Sequence, residues 1–86
     1  MGYPFKPRIT TRDARGHDIA RFVEIDEHSF DARWDRYKFE RYIGRDGWGL
    51  WACDWSGSTV GYLLYEAVGS SLHIHRLAVN ANARRH

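Results

Sequence analysis

The second half of the chain is the part of the sequence that most restricts the possible folds. Residues 49–54, 59–66 and 72–79 are rich in branched and aromatic side chains, a composition typical of β-strands. The segments 55–58 and 68–71 between them contain glycine and serine, which favour tight turns between neighbouring antiparallel strands. The sequence therefore predicts a meander of three antiparallel strands.

The first half of the chain begins with a short predicted strand and continues with a helical pattern. Pro4 and Pro7 disfavour a helix at the start, and residues 8–11 follow as a strand. Apolar side chains then recur at close to helical spacing, at Ile19, Phe22, Val23 and Phe30, with Ala20 and Ile25 beside them. This spacing predicts a helix of about ten to fourteen residues. Either Asp13 or Asp18 is expected to cap its first turn.

A second helix is predicted in the middle of the chain. Asp35 suits the N-cap position, where a carboxylate can accept a hydrogen bond from a backbone N–H of the first turn. Phe39, Tyr42 and Ile43 share one face of this helix. Gly44 suits the left-handed conformation that ends many helices, so the helix is expected to stop there.

These elements predict an α+β fold with the element order β-α-α-β-β-β. Four antiparallel strands form one sheet and two helices pack on it, in a single domain that covers residues 1–86. A chain of 86 residues supports only one small core. Its 43% of hydrophobic and 15% of aromatic residues are typical of a globular chain and exclude a disordered one.

The last predicted strand carries apolar side chains at both alternating positions. Leu72 and Ile74 have one parity and Leu77 and Val79 have the other, so both faces of the strand are expected to need cover. Two helices can cover only one face of the sheet. We therefore expect one uncovered face and a final strand at the sheet edge, where a second copy of the chain could pair to form a homodimer.

The sequence has no feature of a membrane or secreted protein. No apolar run approaches the roughly 18 residues of a membrane span, and the first residues lack the apolar core of a signal peptide. Cys53 is the only cysteine, so no intrachain disulfide is possible. The net charge of +2 is too small to indicate a nucleic-acid binder. We expect a cytoplasmic protein without a membrane partner, for which nucleic acid is an unlikely ligand.

Several residues spread along the chain form a pattern. Their order along the sequence, rather than any single residue, makes the pattern specific for a protein family. The pattern consists of Arg8 and Ile9, Ser29 and Phe30, Trp34, Val60 to Leu63, Leu77 to Val79, and Arg84 with Arg85. In this order they resemble the first half of the GNAT superfamily of acyl-CoA-dependent N-acetyltransferases, over about residues 8–86. The branch that acetylates protein N-terminal amines is the most similar one. The resemblance implies transfer of an acetyl group from acetyl-CoA to a primary amine.

The resemblance also implies an acetyl-CoA site on the last strand. Backbone groups of Leu77, Ala78 and Val79 would pair with the pantetheine arm, and Arg84 would open a glycine-rich loop for the pyrophosphate. Arg85 follows in that loop, and the sequence ends before the first glycine of the loop. We therefore expect a partial domain that is inactive alone. The two arginines either neutralise CoA phosphates or form an ordinary solvated basic segment.

Three aromatic residues and a histidine are implied on the acceptor side. Phe30, Trp34 and Tyr62 match positions near the acceptor groove of the family, and the alternative is ordinary core packing. The acceptor would be the amine of a protein N-terminus, of a peptide or of a small molecule. His73 matches a position where family members place a catalytic base, and a neutral imidazole can accept a proton near pH 7. As a plain strand residue, His73 would be hydrogen-bonded or half exposed.

A metal site is the weaker use of the histidines. His73 and His75 would need further ligands from Cys53, Asp54 or Glu66, whose spacing matches no recognised zinc motif. We therefore predict no metal.

A non-catalytic α+β module for binding or dimerisation is the alternative to an enzyme. The tryptophans would then serve as surface anchors for a partner: Trp34, Trp48, Trp51 and Trp55.

Overall fold

Four antiparallel strands and two helices make up the structure, a computed structural model that describes residues 9–30 and 32–80. The elements are β1 (Ile9–Asp13), a 3-10 turn (Gly16–Asp18), α1 (Ile19–Glu27), α2 (Arg36–Glu40), β2 (Trp48–Trp55), β3 (Ser58–Val68) and β4 (Ser71–Val79). The strands form one sheet in the order β1-β2-β3-β4, and every neighbouring pair is antiparallel. The predicted α+β fold and its element order are therefore confirmed.

The second helix has the predicted start and an earlier end. Asp35 accepts a hydrogen bond from the Lys38 N–H at 2.9 Å, as expected of an N-cap. The chain leaves α2 after Glu40, and the Tyr42 N–H donates to the Phe39 carbonyl at 3.1 Å, the tighter spacing of a 3-10 turn. Gly44 then adopts a left-handed φ of 72° and closes this turn.

The first helix is also shorter than predicted, with nine residues. Phe30 lies in the connection between the helices, because α1 ends at Glu27 and the Ser29 N–H donates to the Asp26 carbonyl at 3.0 Å, the tighter spacing of a 3-10 turn. Asp18 occupies the N-cap position of α1, but its carboxylate accepts the Arg15 N–H at 2.8 Å at the start of the 3-10 turn. Neither helix in the described part of the chain is long and apolar enough to cross a membrane.

The core lies between the two helices and one face of the sheet. The helices contribute Ile19, Phe22, Ile25 and Phe39, and the sheet contributes Leu50, Ala52, Tyr62, Leu64 and Ala78. The rings of Phe22, Phe39 and Tyr62 contact one another at centroid distances of 5.0, 5.3 and 5.8 Å, which are typical of packed aromatic cores. Trp34 and Trp48 pack against this core, so they are not the free surface anchors of a binding module.

A bulge in β4 changes the faces that its side chains occupy. Arg76 pairs with Leu64 and Ile74 pairs with Tyr65, which leaves His75 as one extra residue in β4. The extra residue shifts the alternation by one position. As a result, the small Ala78 lies on the helix side, and the four large apolar side chains of β4 share the face opposite the helices: Leu72, Ile74, Leu77 and Val79. The prediction that these four side chains divide between the two faces of the strand is wrong, because it assumed an unbroken alternation.

The face opposite the helices is apolar and open. Leu72, Ile74 and Leu77 are 60%, 61% and 50% exposed, and within residues 9–30 and 32–80 both helices pack on the other face. β4 is also an edge of the sheet. Pairing of a second copy along this edge stays a prediction, which sedimentation of the chain would test.

Candidate acceptor and cofactor site

A buried carboxylate, that of Asp26, lies at the centre of the candidate site. Asp26 follows Phe22 by about one turn of α1, so both side chains face the sheet, and Asp26 is 0% exposed. Its carboxylate accepts hydrogen bonds from Arg76 Nε at 2.8 Å and from Arg76 Nη2 at 2.9 Å. The Trp34 backbone N–H at 2.7 Å and the Tyr62 hydroxyl are two further donors. These donors compensate a charge that would be costly to bury alone.

Arg76 connects this carboxylate to the segment between the two helices. Its guanidinium carbon lies 4.0 Å from the ring centroid of Phe30 and 4.9 Å from that of Trp34. Nη2 also donates to the Ala32 carbonyl at 2.7 Å. The Arg76 side chain is only 13% exposed. We refer to Asp26, Phe30, Trp34, Tyr62 and Arg76 as the Arg76 cluster.

The ionisation states of the Arg76 cluster follow from its contacts. Burial by itself would raise the pKa of Asp26, but the hydrogen bonds from Arg76 and Tyr62 outweigh burial and hold that pKa below its usual range. Burial raises the pKa of the Tyr62 hydroxyl, and its bond to Asp26 raises this pKa further. Asp26 is therefore a carboxylate and Tyr62 a neutral phenol near pH 7, an arrangement suited to positioning rather than to proton transfer.

The structure brings together the three residues predicted on the acceptor side. Phe30 and Trp34 are half-buried and both face Arg76. Tyr62 is completely buried, and its hydroxyl is bonded to Asp26. Tyr62 therefore has the core-packing role that the sequence left open as an alternative. Contact of the other two rings with an acceptor stays a prediction.

An aromatic row extends from the Arg76 cluster to the bulge in β4. The rings of Trp34 and Tyr42 are stacked with centroids 5.5 Å apart, and Tyr42 contacts Trp48 at 4.8 Å. Trp48 in turn contacts the His75 ring at 4.6 Å. The Arg45 guanidinium carbon lies 5.5 Å from both the Tyr42 and Trp48 ring centroids. A strip of half-buried aromatic side chains thus borders the candidate site.

The strand residues predicted to bind the cofactor lie on an edge of the sheet. Ala78 is buried in the core, Leu77 is exposed on the open face and Val79 is half-buried. Within the described residues β4 pairs with β3 on one side only, so alternate backbone N–H and C=O groups are available on the other side. This is the geometry that backbone pairing with a pantetheine arm requires. Arg84 and Arg85 lie outside the described residues.

The two histidines of β4 differ in their surroundings. His75 is hydrogen-bonded to Glu66 Oε1 at 3.0 Å. His73 is exposed and stands opposite Glu66 in the β3–β4 register, and no hydrogen bond or ion pair holds its ring in the described chain. It lies four residues from Leu77, roughly 13 Å along the strand, which one bridging water cannot span. Proton transfer to it from an amine near Leu77 would therefore need a chain of several water molecules. Its role as a base stays a prediction.

Metal ligands do not gather at these histidines or elsewhere in the described ranges. No three side chains of His, Cys, Asp or Glu are placed there to hold a metal ion.

A second ion-pair cluster occupies the opposite edge of the helix-side face. Arg12 donates to both carboxylate oxygens of Asp18 at 2.8 Å and to Asp54 Oδ2 at 2.8 Å. The Thr59 hydroxyl donates to Asp54 Oδ1 at 2.7 Å. Hydrogen bonding from Arg12 lowers the pKa of Asp18 to about 2 and holds the pKa of Asp54 below its usual range. We refer to Arg12, Asp18, Asp54 and Thr59 as the Arg12 cluster.

The ion pairs of both clusters were missed from the sequence, although a signal for one of them exists. Asp26 falls on the same helical stripe as Ile19 and Phe22, and Arg76 interrupts an apolar strand. Charged residues at core positions require an opposite charge or several hydrogen bonds. The pattern therefore indicates that each needs a partner, but not which one.

Comparison with known proteins finds likeness in structure only. No protein-family model matches the chain, and no curated protein matches its sequence. An aminoglycoside acetyltransferase from an uncultured soil metagenomic sample, solved in complex with sisomicin, matches with a TM-score of 0.64 and 14% identity over 90% of this chain. An integron cassette protein from the mobile metagenome of V. cholerae matches with a TM-score of 0.54 and 15% identity over 88% of this chain.

These likenesses define the fold class. The chain has an α+β fold of four antiparallel strands and two helices, consistent with part of the acyl-CoA N-acyltransferase fold. It spans 59% and 57% of the two matched chains. At identities of 14% and 15% the likeness concerns the fold alone, and it does not distinguish the branch that acts on protein N-terminal amines.

Proposed function

We propose that this chain forms the acceptor side and the first cofactor strand of an acetyl-CoA-dependent N-acetyltransferase. One observation carries the proposal. In a GNAT-like fold, Arg76 is followed directly by Leu77 to Val79, where β4 pairs with a described strand on one side only. Two aromatic rings lie next to the Arg76 guanidinium. The edge suits an extended cofactor arm, and the rings suit an organic amine beside it. In this proposal the acyl donor and the acceptor meet where the two surfaces adjoin.

The proposed reaction assigns separate tasks to the two surfaces. The amine nitrogen attacks the thioester carbonyl of acetyl-CoA, the new C–N bond forms, the C–S bond breaks, and CoA leaves with its sulfur electron pair. Edge groups at Leu77 to Val79 would hold the pantetheine arm, which fixes the carbonyl in place. The amine must lose a proton, since its pKa is about 10 for a lysine and about 8 for a chain terminus. The exposed ring of His73 is the proposed proton acceptor, through a chain of water molecules.

The proposed acceptor is a primary amine of a protein or peptide, as the resemblance implies. The structural match to an aminoglycoside acetyltransferase solved with sisomicin supports a small amine as a second acceptor to test. Half-buried aromatic rings at Phe30 and Trp34 can contact either kind of molecule.

The test is an acetyl-transfer assay on the protein as its gene encodes it. Acetyl-CoA is supplied with sisomicin or with a peptide that has a free N-terminus, and the released CoA thiol is titrated. We expect thiol release that depends on the amine, and a loss of about 100-fold in kcat for His73→Gln. The matched variant His75→Gln should lose far less. Thiol release that is the same with and without any amine would overturn the proposed function.

A further inference from the structure

The connection between α1 and α2, residues 28–35, is held to the sheet mainly through one side chain. Its described residues, 28–30 and 32–35, lie in neither a helix nor a strand. The Ala32 carbonyl accepts a hydrogen bond from Arg76 Nη2 at 2.7 Å. The rings of Phe30 and Trp34 lie 4.0 and 4.9 Å from the guanidinium carbon. Three residues of the connection are therefore set by the position of Arg76.

Asp26 fixes Arg76 and the connection at the same time. Its two carboxylate oxygens receive Nε and Nη2 of Arg76 at 2.8 and 2.9 Å, which orients the guanidinium plane. The Trp34 backbone N–H donates to the same carboxylate at 2.7 Å. Asp26 is itself rigid, because it lies in α1 and is fully buried. The orientation of Arg76 is thus determined before any acceptor arrives.

Arg76 also belongs to the strand that carries the proposed cofactor edge. It pairs with Leu64 directly after the bulge residue His75, and Leu77 is the next residue. The backbone of Arg76 is therefore continuous with the proposed cofactor edge, while its side chain contacts the proposed acceptor wall.

From this we infer that Arg76 is a positioning residue, which sets the acceptor wall formed by Phe30 and Trp34 at a fixed distance from the cofactor strand. The inference rests on the proposed function. It assigns Arg76 no contact with the reacting atoms. Its effect is on the geometry of approach, because acyl transfer is sensitive to displacements of about 1 Å.

An arginine is needed for this task and a lysine does not replace it. The planar guanidinium donates to Asp26 and to the Ala32 carbonyl while its carbon lies over two aromatic rings. A lysine ammonium keeps the charge, but it is a compact group without a planar fork. Arg76→Lys should therefore keep the ion pair with Asp26 and loosen the connection.

The Arg12 cluster supplies a matched control. Arg12 is also an arginine with two hydrogen bonds to a buried aspartate, Asp18, and it lies at the other edge of the sheet. Arg12→Lys makes the same chemical change at a site away from the connection and from Leu77. Arg12→Lys therefore shows what the loss of a guanidinium does to the kinetics where the acceptor wall is not involved.

The experiment measures steady-state kinetics of the acetyl transfer for the protein as its gene encodes it, with rates expressed per folded molecule by near-UV circular dichroism. For Arg76→Lys we expect kcat/KM for the amine to fall about tenfold or more, with KM for acetyl-CoA within about twofold of the unaltered protein. Arg12→Lys should leave both constants within about twofold. If Arg76→Lys does not fold, Phe30→Leu, which leaves the ion pair intact, should shift the amine constants in the same direction.

The outcomes separate this inference from the proposed function. Equal amine constants in Arg76→Lys, Arg12→Lys and the unaltered protein would overturn the positioning role and leave the acetyl transfer standing. A parallel loss for the amine and for acetyl-CoA would also overturn it, because the role is specific to the acceptor wall. If Phe30→Leu serves as the test variant, unchanged amine constants overturn the role in the same way. Absence of transfer in the unaltered protein would remove the proposed function and this inference together.

Discussion

The two edges of the helix-side face carry two similar arginine clusters, which differ in the number of carboxylates per guanidinium and in the exposure of the arginine. In the Arg12 cluster one guanidinium serves two carboxylates, Asp18 and Asp54, and the arginine side chain is 38% exposed. In the Arg76 cluster one guanidinium serves one carboxylate, Asp26, and the arginine side chain is 13% exposed. Water can replace a lost bond more easily in the first cluster than in the second, where Asp26 is completely buried.

The clusters also differ in the elements that they connect. Arg12 lies six residues from Asp18 and 42 residues from Asp54, while Arg76 and Asp26 are 50 residues apart. The Arg12 cluster therefore ties together a turn and its neighbouring strand ends. The Arg76 cluster ties the first helix to the last strand, so its loss should affect the whole fold.

Removing the carboxylate from each cluster should give the largest difference between them. We expect Asp26→Ala to lower the free energy of unfolding by about 3 to 5 kcal/mol, because it leaves Arg76 charged and buried without its partner. Asp18→Ala should lower it by about 2 kcal/mol, since the more exposed Arg12 keeps Asp54 and water. Urea unfolding followed by circular dichroism measures both values.

The double variant Asp26→Leu with Arg76→Met is the control for that comparison. It removes both charges and should recover most of the stability that Asp26→Ala loses. If the two aspartate variants are equally stable, the greater burial of the Arg76 cluster has no energetic consequence.

Acidification should have the next largest effect, because it removes the stability that the two buried aspartates contribute. The pKa of Asp18 is lowered in the folded protein from 3.8 to about 2, and the pKa of Asp26 is lowered as well. A carboxylate with a depressed folded pKa stabilises the fold above its unfolded pKa, and this contribution is lost as the pH falls through the folded value. For Asp18 the contribution is about 2 kcal/mol, lost between about pH 4 and pH 2.

The variant Asp18→Asn isolates this titration. Its deficit in the free energy of unfolding relative to the unaltered protein should be largest above pH 5 and should shrink towards pH 2. Unfolding curves at a series of pH values measure the deficit, and a deficit independent of pH would contradict the assigned pKa.

The hydroxyl groups of the two clusters should give the smallest difference. Tyr62→Phe removes a buried donor to Asp26 and should cost about 1.5 to 2 kcal/mol, because hydrogen bonds to charged groups are worth more than neutral ones. Thr59→Val removes the donor to Asp54, which is partly accessible to water, and should cost about 1 kcal/mol. Reversal of this order in urea unfolding would indicate that Arg76 and the Trp34 N–H fully compensate for the missing hydroxyl.

Features with a local physical cause could be predicted from the sequence. The N-cap of Asp35 was predicted from its side chain, and the φ of Gly44 was predicted from its position after an apolar stripe. The helix lengths were overestimated, because the spacing of Phe30 and Ile43 fits a helix although the backbone leaves it earlier. Of the candidate site, the sequence indicated the aromatic residues and the cofactor strand but not the ion pair between them.

The sequence by itself determined the order and type of the elements and the turns that connect them, because backbone sterics and hydrogen bonds within a few residues decide these. Only the tertiary structure decided the bulge at His75, the single face shared by the apolar side chains of β4, and the pairing of Asp26 with Arg76. These features depend on which distant strand and helix come into contact. A carboxylate and a guanidinium 50 residues apart become partners only when the packing of the core excludes water from both.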